Sequence, residues 1–116
     1  MRALHHPAIE DIAVEDVLHA LSDPVRLEIV RALARIDEAS CSTLDGGRPK
    51  SSMSHHFRVL RNAGLVHTRG EGVHRMNTLR RADLDRRFPG LLDAVLAAPP
   101  ATDVARAGEA GRPESA

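Results

Sequence analysis

Apolar residues return along this chain in two different rhythms. From Ala8 to Leu21 they recur as Ile9, Ile12, Val17 and Leu21, a spacing that predicts an amphipathic helix entered near Pro7. The pattern restarts in SDPVRLEIVRALARI. There Asp23 can cap a helix whose first residue is Pro24, because proline has no N–H to leave unsatisfied and its fixed φ suits the first turn. Ile29, Val30, Leu33 and Ile36 form the stripe that helix should bury. DEASCSTLDGGRP follows as a short helix or turn plus a loop, since Gly46, Gly47 and Pro49 all break helices. In PKSSMSHHFRVLRNAGLV a helix of about 20 Å is predicted, started by Ser51 or Ser52 as cap and ended at Gly64 by a left-handed stop. Met53, Phe57 and Leu60 share one of its faces.

The rhythm then changes to alternation. LVHTR, the turn GEG and VHRMNTL read as a β-hairpin. Helix returns in RRADLDRRFPGLLDAVLAA, where Leu84, Phe88, Leu91, Leu92, Val95 and Leu96 are apolar and Pro89 marks a kink or a restart. Beyond it, PPATDVARAGEAGRPESA has almost nothing to bury, so a folded domain over residues 1–98 and a disordered tail over 99–116 are expected.

Composition narrows the fold class. With 116 residues, no Trp or Tyr, and Phe57 and Phe88 as the only aromatics, the core must be aliphatic, which favours packed helices in one small domain. So small a domain is expected to oligomerise, and Ile9, Ile12, Leu91 and Leu92 look like an apolar surplus for that contact. A single cysteine, Cys41, cannot form an internal disulfide, and the N-terminus lacks a basic-then-apolar secretory pattern. No apolar run reaches the roughly 20 residues that span a bilayer. A cytoplasmic protein with no membrane partner is predicted.

Charge adds what composition hides. The net charge is zero, yet between Arg48 and Arg81 eight Lys or Arg stand against Glu71 alone, a local net of +7. A basic middle in an otherwise acidic chain is the footprint of a phosphate-binding face.

Helices, a loop, a basic helix with serines near its start and a glycine-tipped hairpin together describe a mainly α fold with a small β-hairpin wing, a winged helix-turn-helix. Serine hydroxyls and long cations suit a helix that enters the major groove of double-stranded DNA, where they meet phosphates and base edges. Lys50, Ser51, Ser54, His55 and Arg58 lie away from the Met53, Phe57, Leu60 stripe. Arg69, His74 and Arg75 flank the hairpin tip, which is thin enough to approach a sugar-phosphate backbone.

These segments resemble the ArsR (arsenic-repressor-like) winged-helix regulators of bacteria: LHALSDPVRLEIVRAL is similar to that family's second-helix signature, and SSMSHHFRVLRNAGLV with TRGEGVHRMNTL to its recognition helix and wing. The resemblance covers about Val14 to Leu96. It implies a homodimer, joined through first and last helices, that binds imperfect palindromic operators and usually represses transcription until a signal releases it. Its recognition positions fall on Lys50, Ser51, Ser52, Ser54, His55 and Arg58. Many members sense metals, but the cysteine-rich motif of the third helix is reduced here to Cys41, and the Asp/His pattern of the last helix is absent from ADLDRRFPGLLDAVL.

No metal site and no cofactor are therefore expected. His55 and His56 point about 100° apart on a helix and cannot easily grip one ion; His56 should be partly buried, and His67 with His74 could pair across the hairpin. Arg26 is expected to be a structural hydrogen-bonder. Ser54 and His55 lack a third group to orient a base, so no enzyme is predicted. The alternatives are a winged-helix module that contacts only proteins, or a metal- or redox-sensing repressor that uses Cys41.

Overall fold

In the computed structural model, residues 4–99 and 101 are described. A 3₁₀ turn at Ile9–Asp11 leads into α1 (Val14–Leu21), α2 (Pro24–Arg35), β1 (Ala39–Ser40), α3 (Cys41–Leu44), α4 (Lys50–Ala63), β2 (Val66–Glu71), β3 (His74–Leu79), α5 (Arg81–Arg87) and α6 (Leu91–Ala97). Apart from residues 99 and 101, the expected tail lies outside the described residues.

The helix expected from Ala8 to Leu21 is two pieces. Ile12 and Ala13 are extended, with φ/ψ of −76°/121° and −98°/137°. The break lets Ile12 turn inward, where it is buried against Gly64. Helix α2 starts as its sequence requires: the Asp23 carboxylate accepts from the amides of Val25 (2.9 Å) and Arg26 (3.1 Å), and Pro24 is the first helical residue. It buries Ile29, Val30 and Leu33 but ends at Arg35, which leaves Ile36 exposed.

Two expectations about termini fail for local reasons. Helix α4 begins at Lys50 behind Pro49, so Ser51 and Ser52 sit inside its first turn and cap nothing; the Ser52 hydroxyl donates back to the Pro49 carbonyl at 3.0 Å. The hairpin turns at Gly72 and Val73, because Glu71 pairs with His74 as the last rung of the ladder. Gly72 has φ +62°, the left-handed value a two-residue hairpin turn demands. Phe88, Pro89 and Gly90 make a restart between α5 and α6 rather than a kink.

The sheet has three antiparallel strands in the order β1-β3-β2, since Ala39 and Ser40 pair with Asn77 and Met76. Helix α1 packs on α2 and α4, α4 on β2, and α2 on β3, around an aliphatic core that includes Val17, Ile29, Val30, Phe57, Leu60, Leu65, Val66, Leu84 and Leu92. Ile12 and Leu92 belong to that core, so they are not surplus for a partner. The large apolar side chains that α1 leaves exposed are Val14 (39%) and Leu18 (51%), one turn apart.

Candidate nucleic-acid interface

A reading helix must be fixed to its scaffold from behind. Arg26, 7% exposed, does this at the start of α2. Its Nε donates to the Ala20 carbonyl (2.7 Å) and its Nη2 to that of His19 (3.3 Å), satisfying the open end of α1, while Nη1 meets His56 Nδ1 of α4 at 3.3 Å. His56 is half-buried, and Asp23 Oδ2 lies 3.8 Å from the same nitrogen. Burial alone would raise the Asp23 pKa, but the amides of Arg26 and Val25 and the nearby Arg26 and His56 outweigh it and hold the carboxylate below its ordinary value. One polar knot thus ties α1, α2 and α4 together.

Opposite that knot α4 presents polar side chains. Lys50, Ser51, Ser52, Ser54, His55 and Arg58 are all exposed on it. The turn before α4 is set by Asp45, whose carboxylate accepts from the Gly47 amide at 2.9 Å and whose carbonyl accepts from that of Arg48 at 3.0 Å. Gly64, with φ +88°, ends the helix, and its amide reaches back to the carbonyls of Arg61 and Leu60.

The wing does not present its three candidates together. The register pairs Arg69 with Met76, Gly70 with Arg75, and Glu71 with His74. Arg69 and His74 therefore share the outer face, whereas Arg75 lies on the face that carries buried Thr68 and Asn77 towards the core. Arg69 is bound by Glu38 (2.6 Å) and Glu71 (2.9 Å), two carboxylates that raise its pKa. His67 and His74 do not pair across the ladder; His67 faces Thr78 and its ring stacks on His6, with centroids 4.1 Å apart. His6 Nε2 in turn accepts from the Thr68 amide at 3.0 Å, so the N-terminal segment closes the free edge of β2.

Contact geometry also sorts the basic middle of the chain. Of its eight cations, Arg48 is paired with Glu28, Arg69 with Glu38 and Glu71, Arg80 with Asp83, and Arg81 with Asp85 and Asp93. Among the described residues Lys50, Arg58, Arg61 and Arg75 have no ion-pair or hydrogen-bond partner for their side chains, and all four lie on α4 or β3. Arg61 went unassigned by sequence reasoning, because an arginine between Leu60 and Asn62 looks like any solvated helix position. Its spacing of three from Arg58 was the available signal.

Cys41 opens α3, half-buried, with the Asn77 Nδ2 donating to its sulfur at 3.3 Å. Asn77 is fully buried and also accepts from the Thr68 hydroxyl (2.7 Å) and donates to the Ala39 carbonyl (3.3 Å), which makes it the brace between β1, β2 and β3. Among the described residues no group of three or more His, Cys, Asp or Glu side chains is placed to hold a metal, and no helix is long and apolar enough to cross a membrane.

A short helix, a glycine turn and a polar helix backed by aliphatic packing, followed by a two-stranded wing, define a winged helix-turn-helix DNA-binding protein. Residues 21–69 match the model of a helix-turn-helix domain family. The uncharacterized HTH-type transcriptional regulator YceK of Bacillus subtilis is 34% identical over 82 residues, spanning 68% of this chain and 82% of that protein. Among solved structures, the transcriptional repressor BigR from Xylella fastidiosa is similar at 30% identity and a TM-score of 0.57, covering 74% of this chain and 88% of its own. An ArsR-like transcriptional regulator from Rhodococcus sp. RHA1 is similar at 29% identity and a TM-score of 0.56, covering 70% and 77%. The chain belongs to the ArsR-like winged helix-turn-helix transcriptional regulators, and DNA is its partner.

Proposed function

We propose that the protein is a homodimeric repressor that binds imperfect palindromic operators and leaves them in response to a signal other than a dedicated metal site. Lys50, Ser51, Ser52, Ser54, His55 and Arg58 enter the major groove from α4, while His74 and Arg75 meet the backbone at the wing. Arg69 joins them by exchanging Glu38 and Glu71 for phosphate. The observation that carries this reading is that, within the basic stretch from Arg48 to Arg81, the cations without a partner among the described residues, Lys50, Arg58, Arg61 and Arg75, all lie on α4 or β3, and phosphate is their natural complement. Dimerisation is supported by the exposed Val14 and Leu18 face of α1, and repression by the likeness to BigR, a transcriptional repressor.

Base readers and backbone clamps leave different signatures. Ser54→Ala and His55→Ala should each change sequence preference, costing about 1–3 kcal/mol on the preferred site and little elsewhere. Arg75→Ala should weaken all duplexes similarly. Competition binding against preferred and scrambled duplexes separates the two. A uniform loss from all three substitutions would overturn the assignment of α4 as the reading helix, and wild-type binding to no duplex would overturn the function.

A further inference from the structure

Buried arginines in this fold follow a rule that one of them breaks. Arg26 spends its donors on two carbonyls and His56, and Arg80, with a side chain only 11% exposed, spends its own on Asp83 and the Pro7 carbonyl. Arg61 is as deeply set, at 9% exposure, yet among the described residues it has no hydrogen-bond or ion-pair partner. Its surroundings make that stranger. Arg58 precedes it by one helical turn on α4. Arg75 comes from β3 on the core-facing side of the sheet, two residues before buried Asn77. Burial first, then Arg75 and Arg58, depress the Arg61 pKa, and only the Cys41 sulfur opposes them.

The Arg61 stem is buried while its guanidinium nitrogens still reach solvent, so its donors stay open where Arg26 has spent its own on protein carbonyls. We propose that Arg61, together with Arg58 and Arg75, forms an anion seat where α4 meets the wing, and that its occupant is a phosphodiester of bound DNA. This deepens, and rests on, the DNA-binding reading above. Arg61 supplies the fixed member of the clamp, because its stem is immobilised by burial and loses little freedom on binding. Arg58 and Arg75 close from the exposed side. The seat joins helix and wing through one phosphate and so sets the angle at which α4 enters the groove.

The test uses the full chain and a fluorescein-labelled random-sequence duplex of about two helical turns, roughly 20 base pairs, titrated over a series of salt concentrations. Arg61→Met keeps the apolar stem and removes the charge. It should unfold at the wild-type temperature or above, bind the duplex more weakly, and lower the slope of log affinity against log salt by about 0.9, one phosphate's worth. Arg61→Lys should keep the slope. Arg61→Met and Arg75→Met combined should lose less than the two losses added, because both grip one group. A wild-type slope in Arg61→Met, beside steep wild-type binding, overturns the seat alone; flat wild-type binding overturns the DNA reading and the seat with it. Should Arg61→Met prove unfolded by circular dichroism, Arg61→Gln, which keeps a polar end without the charge, decides: a lowered slope supports the seat and an unchanged one overturns it. In a parallel arm inorganic phosphate is titrated in thermal melts. Stabilisation of wild type but not Arg61→Met, with identical DNA slopes, would assign the seat to a free anion and overturn the phosphodiester.

Discussion

His6 shows how one side chain can link chemistry at the chain's beginning to the wing. Its Nε2 must be unprotonated to accept from the Thr68 amide, and its ring stacks on His67. Burial, followed by His67, Arg80, Arg61 and His5, holds its pKa below the ordinary 6.5. A base with a lower pKa folded than unfolded binds fewer protons in the fold. Its contribution is therefore complete above about pH 6.5 and is lost as pH falls from there through the lower folded value. The thermal midpoint should drop between about pH 7 and pH 5. His6→Gln, whose amide oxygen can still accept from Thr68 but does not titrate, should make that drop shallower. An equally steep drop in the variant would show that the acid sensitivity arises elsewhere. His55 and His74, by contrast, are exposed on the candidate interface, while His6, His56 and His67 make contacts within the fold.

Elements are joined in this fold by close approach as much as by hydrogen bonds. Gly64 adopts φ +88°, and a Cβ placed there would stand 2.6 Å from Ile12 Cγ1 and 2.7 Å from Ile12 Cδ1. Gly64→Ala should thus destabilise by about 3 kcal/mol, combining left-handed backbone strain with overpacking. Urea denaturation measures it, and Ile12→Ala in the same chain should recover the overpacking share only. A loss below about 1 kcal/mol would mean that the contact is loose. The same contact explains what could be read along the sequence and what could not. Helices α2 and α4 and the hairpin were legible because their apolar periods are local and their ends carry Asp23, Pro24 and Gly64. The break after Asp11 was hidden, since Ile12 continues a helical spacing and turns inward only to meet Gly64, fifty-two positions on in the chain. Strand β1 was hidden for a related reason: two residues have no period, and their pairing with β3 is a long-range fact. At the interface the polar face of α4 was visible from its wheel, but the separation of Arg75 from Arg69 depends on ladder register, and Arg61's lack of partners depends on where every carboxylate finally sits.

At the scale of the whole molecule, the zero net charge is resolved into two layers. Within the basic stretch from Arg48 to Arg81, carboxylates neutralise Arg48, Arg69, Arg80 and Arg81, and the other four cations, Lys50, Arg58, Arg61 and Arg75, lie on the helix and strand that would face DNA. Within that stretch, attraction to phosphate is concentrated on α4 and β3. Two copies joined through α1, by Val14 and Leu18, would carry two such faces related by a two-fold axis, and a symmetric protein reads a symmetric site. The most direct measurement is selection of bound duplexes from a random-sequence library by the purified chain, followed by sequencing. The account predicts enrichment of inverted repeats whose half-sites are centred about 10 to 10.5 base pairs, or a multiple of that, apart. Recovery of the library unchanged, or of motifs without two-fold symmetry, would contradict a dimer that reads DNA through α4.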